Sequence, residues 1–225
     1  MDAKFWHERW QRNEIGFHQA APHAALAHHW PTLGLAPGSR VFVPLAGKSL
    51  DMLAFAAAGH RVVGIELSAL AVEAFFADNG LASAREAHGE LVLHRSGDIE
   101  LWCGDVFALT PALLGCIDAI FDRGALVALP PLLRQRYAAH LAGLAPPGCE
   151  MLLVTMEYEQ SQMSGPPHAV LAAEVHALYG TRFDIALLGR DTNLADGPRF
   201  AQRGVTQLAE GYWRLRRRPD AIPAR

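Results

Sequence analysis

Glu66 lies one residue before the end of the mainly apolar run RVVGIEL (61–67) and is the first residue whose type and place point to chemistry. It stands about 20 residues beyond the loop PLAGKS (44–49), which is the spacing at which a doubly wound nucleotide site places a carboxylate. Such a carboxylate accepts hydrogen bonds from both hydroxyls of a ribose. The sequence also allows a plainer interpretation, in which Glu66 is a solvated strand end.

The loop 44–49 indicates which kind of nucleotide ligand to expect. Gly47, Lys48 and Ser49 match the end of the phosphate-loop pattern G-x-x-x-x-G-K-[ST], but that pattern needs glycine where Phe42 stands. The dinucleotide pattern G-x-G-x-x-G is also missing from this turn. An adenosine ligand without a pyrophosphate therefore fits better than an NTP or a dinucleotide, and S-adenosylmethionine is the common one. The alternative is a tight turn that only leads into a helix.

The run IDAIFDRGAL (117–126) contains two acidic side chains and one guanidinium within six consecutive residues. We expect Asp118, Asp122 and Arg123 to meet at one strand end, because a guanidinium forks onto a carboxylate or onto the amino-acid tail of a ligand. The alternative is an exposed Asp122–Arg123 ion pair, which contributes little. No metal site is expected, since the densest histidine pair, His28 and His29, are helix neighbours that point apart.

Strands and helices that alternate along the chain must position these residues. Short apolar runs followed by helical patterns predict crossover units and a mostly parallel sheet with helices on both faces. Ser49 and Ser68 are predicted helix N-caps, and Ser96-Gly97 is predicted to turn a hairpin. Residues 1–35 are expected to form a helical cap ahead of the sheet. The predicted strands are 40–45, 61–67, 90–95, 98–103, 117–121, 151–156, 184–188 and 212–216.

Composition restricts the class of protein. The 225 residues, 51% apolar and 19% charged, predict one large globular domain over 1–225. The net charge of −3 provides no basic field, so we expect neither nucleic acid nor a membrane surface as a partner. Three widely spaced cysteines form no Cys-x-x-Cys pair, and no apolar window reaches the ~18 residues of a membrane span. We expect a cytoplasmic protein.

Further evidence comes from the stretches IGFHQ, VFVPLAGKSLDM, GHRVVGIELSALAVEAFF, CGDVF, IDAIFDRGALVALPP and GPPHAVLAAEV. Together they resemble the thiopurine S-methyltransferases in their bacterial form. The resemblance runs in register from about Trp6 to Tyr212. It implies a Rossmann-like class I methyltransferase fold with a seven-stranded sheet and an N-terminal helical cover. It also implies S-adenosylmethionine as cofactor, S-adenosylhomocysteine as product, a small-molecule thiol acceptor and a monomer.

The resemblance assigns roles to individual residues. Arg123 is the implied catalytic residue, and Phe17 and Arg203 are the implied substrate contacts. The chain departs from the usual family residues at Ala46, Ala54 and His168, which bears on the acceptor that it prefers. The implied cofactor contacts are Trp10, Leu45, Glu66, Asp105, Val106 and Arg123.

The expected reaction is methyl transfer to the sulfur of thiopurines or other aromatic or heterocyclic thiols, with selenium and tellurium compounds as further acceptors. An aromatic thiol is largely ionised near neutral pH, which fits a sequence with no convincing acid and base pair. Three alternatives stay open: methylation of another small molecule, a noncatalytic S-adenosylmethionine sensor, and a nicotinamide-dependent oxidoreductase.

Overall fold

The computed structural model describes residues 3–192 and 197–220. That part of the chain contains eight α-helices, nine β-strands and four single 3₁₀ turns. The helices α1 to α8 are Ala3–Gln11, Ala24–His28, Asp51–Ala57, Ala69–Asp78, Pro111–Leu114, Pro131–Leu144, Ala172–Tyr179 and Gly197–Gln202. The strands β1 to β9 are Arg40–Val43, Arg61–Glu66, Ala84–His88, Leu91–Ser96, Ile99–Cys103, Ala119–Arg123, Glu150–Glu157, Phe183–Asp191 and Ala209–Arg217.

The chain divides into two compact units, and the first is Met1–Phe121. Its strands lie in the order β3-β4-β5-β2-β1, with the start of β6 beside β1. The pairs β5-β2, β2-β1 and β1-β6 are parallel, whereas β3-β4 and β4-β5 are antiparallel. Strands β1 and β2 are buried almost throughout, as expected for parallel strands covered on both faces. Their carboxyl ends are where a ligand site belongs.

The second unit, Asp122–Arg225, is built around an antiparallel group of strands in the order β7-β9-β8. The centre of β7 is buried, which matches its nearly continuous apolar sequence. Helices α6 and α7 pack against each other in this unit. The same unit contains a buried cluster formed by Tyr158, Met163, Ala169, Phe200 and Val205.

The structure confirms the predicted alternation and the parallel centre, and it corrects the strand count. The described residues contain nine strands, where the resemblance implied seven. Strand β3 was not predicted because its sequence, AREAH, is exposed and shows no apolar alternation. The hairpin at Ser96-Gly97 is confirmed by the antiparallel pairing of β4 with β5. That residues 1–225 form a single domain stays a prediction.

The two predicted N-caps have different outcomes. The Ser68 side chain accepts a hydrogen bond from Ala71 N at the start of α4, as predicted. Helix α3 begins at Asp51 with Leu50 as its N-cap, so Ser49 lies one residue before the cap. The Ser49 hydroxyl still accepts a hydrogen bond from Asp51 N at 3.2 Å. None of the described helices combines the length and the apolar character that crossing a bilayer requires.

Candidate active site

The Glu66 carboxylate is buried at the end of β2 and is held on both of its oxygens. Gly47 N donates to Oε2 at 2.9 Å, and Ser68 N donates to Oε1 at 2.8 Å. Burial raises the pKa of the Glu66 carboxyl, and the hydrogen bonds from Ser68, Gly47 and Leu67 oppose part of that rise. The side chain is only 7% exposed, so the interpretation of Glu66 as a solvated strand end is wrong.

Backbone hydrogen bonds bring three strand ends together around Glu66. Ala46 N, just after β1, donates to Ile65 O at 2.8 Å, and Gly104 N, just after β5, donates to Glu66 O at 2.9 Å. Cys103 pairs in register with Glu66 across the parallel strands. Burial raises the pKa of the Cys103 thiol, and the nearby Glu66 charge raises it further. The loops after β1, β2 and β5 therefore form one edge of the first unit.

The loop after β1 turns tightly enough to face an aromatic ring. Leu45 and Gly47 both have positive φ angles, +46° and +54°, of which only the glycine is sterically comfortable there. A Cβ atom on Gly47 would lie 3.2 Å from the Trp10 ring. Gly47 is thus in close contact with Trp10 while its N–H binds Glu66, and no local sequence pattern signals this pair of contacts.

Aromatic rings continue outward from Trp10. The Trp10 and Phe17 rings meet edge to face with centroids 5.6 Å apart, and Trp6 contacts Phe17 in the same way at 5.7 Å. Trp10 is buried, whereas Phe17 is 41% exposed. An exposed phenylalanine beside a buried tryptophan is suited to covering a ligand. Trp10, Phe17 and Gly47 therefore form an apolar wall at the same edge.

Asp105 and Val106 follow β5 at the same group of strand ends. The exposed Asp105 carboxylate accepts a hydrogen bond from Phe107 N at 3.0 Å and so caps the short 3₁₀ turn Val106–Ala108. Val106 is buried. Of the predicted cofactor contacts, Trp10, Leu45, Glu66, Asp105 and Val106 all belong to this first unit.

The prediction that Asp118, Asp122 and Arg123 meet at one strand end is wrong for Asp118. Asp118 lies ahead of β6 and accepts a hydrogen bond from Arg40 N at 2.7 Å, whereas Asp122 and Arg123 lie at the strand's other end. Asp122 is fully buried and Arg123 partly so, hence they do not form the exposed ion pair that was the alternative. Successive strand residues face opposite ways, which separates the two side chains.

Asp122 instead binds groups that sequence reasoning missed. Its Oδ1 accepts from Leu126 N at 3.0 Å, and its Oδ2 accepts from Tyr137 Oη at 2.8 Å. Tyr137 lies on α6 and gave no sequence signal beyond an apolar helix pattern. Burial raises the pKa of Asp122 to about 6, because the loss of hydration outweighs the hydrogen bonds that favour the charged form.

Arg203, the predicted second substrate contact, is exposed after α8. Arg203 N donates to Phe200 O at 2.9 Å, and the arginine charge interacts with Tyr158. Phe200 and Tyr158 both belong to the buried cluster of the second unit. Arg123 and Arg203 therefore both belong to the second unit, and the other predicted site residues belong to the first.

Lys48 behaves differently from a phosphate-loop lysine. Its Nζ donates to Asp78 Oδ2 at 2.8 Å, and the helix that follows starts with the carboxylate of Asp51. This carboxylate places a negative charge in the first turn of the helix, which disfavours a phosphate there. The geometry therefore gives no support to the NTP-binding alternative.

Comparisons with known proteins show the family and the fold of this chain. The family model described as Thiopurine S-methyltransferase matches residues 1–218. A thiopurine S-methyltransferase from Bordetella petrii is 50% identical over 218 residues, which cover 96% of this chain and 99% of the relative. One from Pseudomonas entomophila is 49% identical over 218 residues, covering 96% of this chain and 100% of the relative.

Solved structures with low sequence identity show the same fold. A Burkholderia thailandensis 1,6-didemethyltoxoflavin-N1-methyltransferase, solved with S-adenosylhomocysteine, aligns with a TM-score of 0.65 at 18% identity over 96% of this chain and 87% of the other. A Methanosarcina mazei SAM-dependent methyltransferase gives 0.61 at 13% identity over 88% and 100%. The chain therefore belongs to the thiopurine S-methyltransferase family, enzymes with the class I methyltransferase fold that use S-adenosylmethionine.

Proposed function

We propose that this enzyme transfers the methyl group of S-adenosylmethionine to the sulfur of thiopurines or of other aromatic and heterocyclic thiols. The observation that carries the proposal is the buried Glu66 carboxylate, fixed by two backbone N–H groups at the meeting point of three strand ends. The relatives from Bordetella petrii and Pseudomonas entomophila are named thiopurine S-methyltransferases, which supports the choice of acceptor.

The Glu66 site fits a ribose diol. Each carboxylate oxygen accepts at least one backbone hydrogen bond and keeps further acceptor capacity, so both can also receive a hydroxyl. The backbone bonds fix the direction of the carboxylate before any ligand arrives, which reduces the entropy lost on binding. In this proposal Leu45, Asp105 and Val106 complete the adenosine site from the neighbouring loops.

The aromatic wall supports the same ligand. Trp10 and Phe17 present ring surface next to the loop that binds Glu66 through Gly47. Aromatic faces attract cations, and the wall also keeps water away from the reacting groups. We assign Trp10 to the cofactor side and Phe17 to the acceptor side of this wall.

The bound cofactor supplies a methyl carbon on a positively charged sulfur, which an anion attacks in line. The protein's task is then to hold and orient the two partners, which by itself lowers the barrier by several kcal/mol. We assign Arg123 and Arg203 to the anionic acceptor, with Arg123 also contacting the cofactor, because a guanidinium binds and orients a delocalised anion. A thiol that is already ionised needs no general base, in keeping with the proposed site.

Selenolate and tellurolate anions are softer nucleophiles of the same kind, and we include selenium and tellurium compounds among the proposed acceptors. The proposal is tested by incubating the protein with methyl-labelled S-adenosylmethionine and separate thiopurine, simple thiol, selenite and tellurite acceptors, the last two together with a reductant. We expect label on the sulfur of the thiopurine. Label only on oxygen or nitrogen acceptors, or none on any acceptor despite bound cofactor, would reject the S-methyltransferase assignment.

A further inference from the structure

Asp122, the residue before Arg123, is a fully buried carboxylate that no part of the proposed chemistry uses. Its two oxygens bind different elements: Oδ1 accepts from Leu126 N at 3.0 Å and Oδ2 from the Tyr137 hydroxyl at 2.8 Å. The first bond closes the turn that begins at Arg123. The second attaches that turn to helix α6.

The turn itself has a backbone that needs support. Gly124 has a φ angle of +83°, and the chain then passes directly into the 3₁₀ turn Leu126–Ala128. Farther along the turn, Val127 O accepts a hydrogen bond from His168 N at 2.6 Å. The segment from Arg123 to Val127 is thus fixed at its two ends, and Asp122 provides both bonds of the first end.

The Arg123 side chain has no such support of its own. Within residues 3–192 and 197–220, no hydrogen bond or ion pair engages its guanidinium. The position of its backbone therefore limits the region that the guanidinium can reach. Because the backbone of Arg123 is continuous with Asp122, whatever fixes Asp122 also fixes where the guanidinium can reach.

Burial of this carboxylate is expensive for the fold. Loss of hydration raises its pKa to about 6 despite the bonds from Leu126 and Tyr137. Well-packed apolar side chains in such places are often at least as stable as buried charged groups. A carboxylate kept in this position is therefore better explained by what it orients than by the stability it adds.

We propose that Asp122 is a positioning residue for Arg123, and that Tyr137 acts through Asp122 in the same task. The proposal rests on the function proposed above for Arg123. It adds that the arginine works only when the Asp122 carboxylate holds the turn from Arg123 to Leu126 closed. Neither Asp122 nor Tyr137 needs to touch the acceptor.

A double-mutant cycle with Asp122→Asn and Arg123→Ala tests this proposal. We expect Asp122→Asn to lower kcat/KM for a thiopurine about tenfold or more in the natural background, and to have almost no effect when Arg123 is already alanine. Tyr137→Phe, which removes only one donor, should act in the same direction more weakly. Equal effects of Asp122→Asn in both backgrounds would show a structural role and overturn the proposal.

Two further measurements do not depend on turnover. Amide hydrogen exchange at Leu126 should become faster in Asp122→Asn, while the exchange of β7 amides stays unchanged. The affinity for S-adenosylhomocysteine, measured by calorimetry, should change in Asp122→Asn as it does in Arg123→Ala. Unchanged exchange at Leu126 together with reduced kcat/KM would contradict positioning through this turn.

Glu150→Gln is the matched control. Glu150 is also a buried carboxylate of the second unit, but it lies at the start of β7. It accepts two hydrogen bonds from Arg214, one from Nε at 2.9 Å and one from Nη2 at 2.8 Å. The same carboxylate-to-amide change there should leave kcat/KM unchanged. If Arg123→Ala itself has normal kinetics, the proposed role of Arg123 fails. If Arg123→Ala lowers kcat/KM but the effects of Asp122→Asn and Arg123→Ala are additive, the role of Arg123 stands and the positioning role of Asp122 fails.

Discussion

At Glu66 a single side chain combines two demands that usually conflict. It is buried, which penalises its charge, and it must present that charge to a ligand. The N–H groups of Gly47 and Ser68 resolve the conflict because they compensate the carboxylate without neutralising it.

Glu66→Gln should therefore weaken cofactor binding. A glutamine keeps one acceptor oxygen and places an amide donor against one of the two backbone N–H groups, so a charge-assisted pair is lost. We expect the Kd for S-adenosylhomocysteine to rise about tenfold or more, which corresponds to roughly 1.4 kcal/mol. Titration calorimetry measures this directly. Glu100→Gln, a partly buried glutamate of the same unit that pairs with Arg95, is the control and should keep the normal Kd.

At the scale of elements, the loop between β1 and α3 has to satisfy a backbone and a packing condition together. Gly47 has a φ angle of +54°, and a Cβ atom there would lie 3.2 Å from Trp10 on α1. Gly38, in the turn before β1, has a φ angle of +80° with open space around it. The two glycines share the conformational demand, and only Gly47 has the aromatic contact.

Alanine at either glycine should lower the free energy of unfolding by about 1 to 2 kcal/mol, the cost of a left-handed backbone for a residue with a Cβ atom. Only Gly47→Ala should also displace Trp10 and raise the Kd for S-adenosylhomocysteine severalfold. Urea unfolding and calorimetry on both variants separate the two effects. An equal loss of affinity in Gly38→Ala would mean that Trp10 contact is not the cause.

At the scale of the whole molecule, the buried carboxylates shape how stability depends on pH. The pKa of Asp122 rises from 3.8 to about 6 on folding, so between these values the folded state binds more protons than the unfolded state. Its contribution to stability is therefore greatest at low pH and falls as the pH rises through about 4 to 6. Burial lowers the pKa of His94 and of His168, so these histidines act in the opposite direction.

Comparison of the natural protein with Asp122→Asn separates these opposing contributions. Between pH 4 and pH 7 the difference in unfolding free energy should shift in favour of the variant by up to about 3 kcal/mol, because asparagine does not ionise. Urea unfolding at several pH values provides the measurement. A difference that is constant over this range would mean that the Asp122 carboxyl titrates near its ordinary pKa.

Much of this protein was predictable from local pattern. The apolar runs placed β1, β2 and β7 within a few residues of their true limits, and Ser68 marked the start of α4. Glu66 was identifiable because a strand pattern ended there at the right distance from a turn. Periodicity and capping depend on residues a few positions apart, so both can be recognised in the sequence.

Local sequence pattern was enough to predict the alternating fold and the family, and to propose Glu66 and Arg123 as site residues. The hydrogen-bond partners became visible only in the folded chain: Gly47 N binds Glu66, 19 residues away, and Tyr137 binds Asp122, 15 residues away. The structure also contains the exposed edge strand β3, which was not predicted. Asp118 lies just before β6, at the opposite end of the strand from Arg123. Such partners depend on which strands and helices become neighbours in the fold. Periodicity cannot predict them, because it indicates only which side of each element is buried.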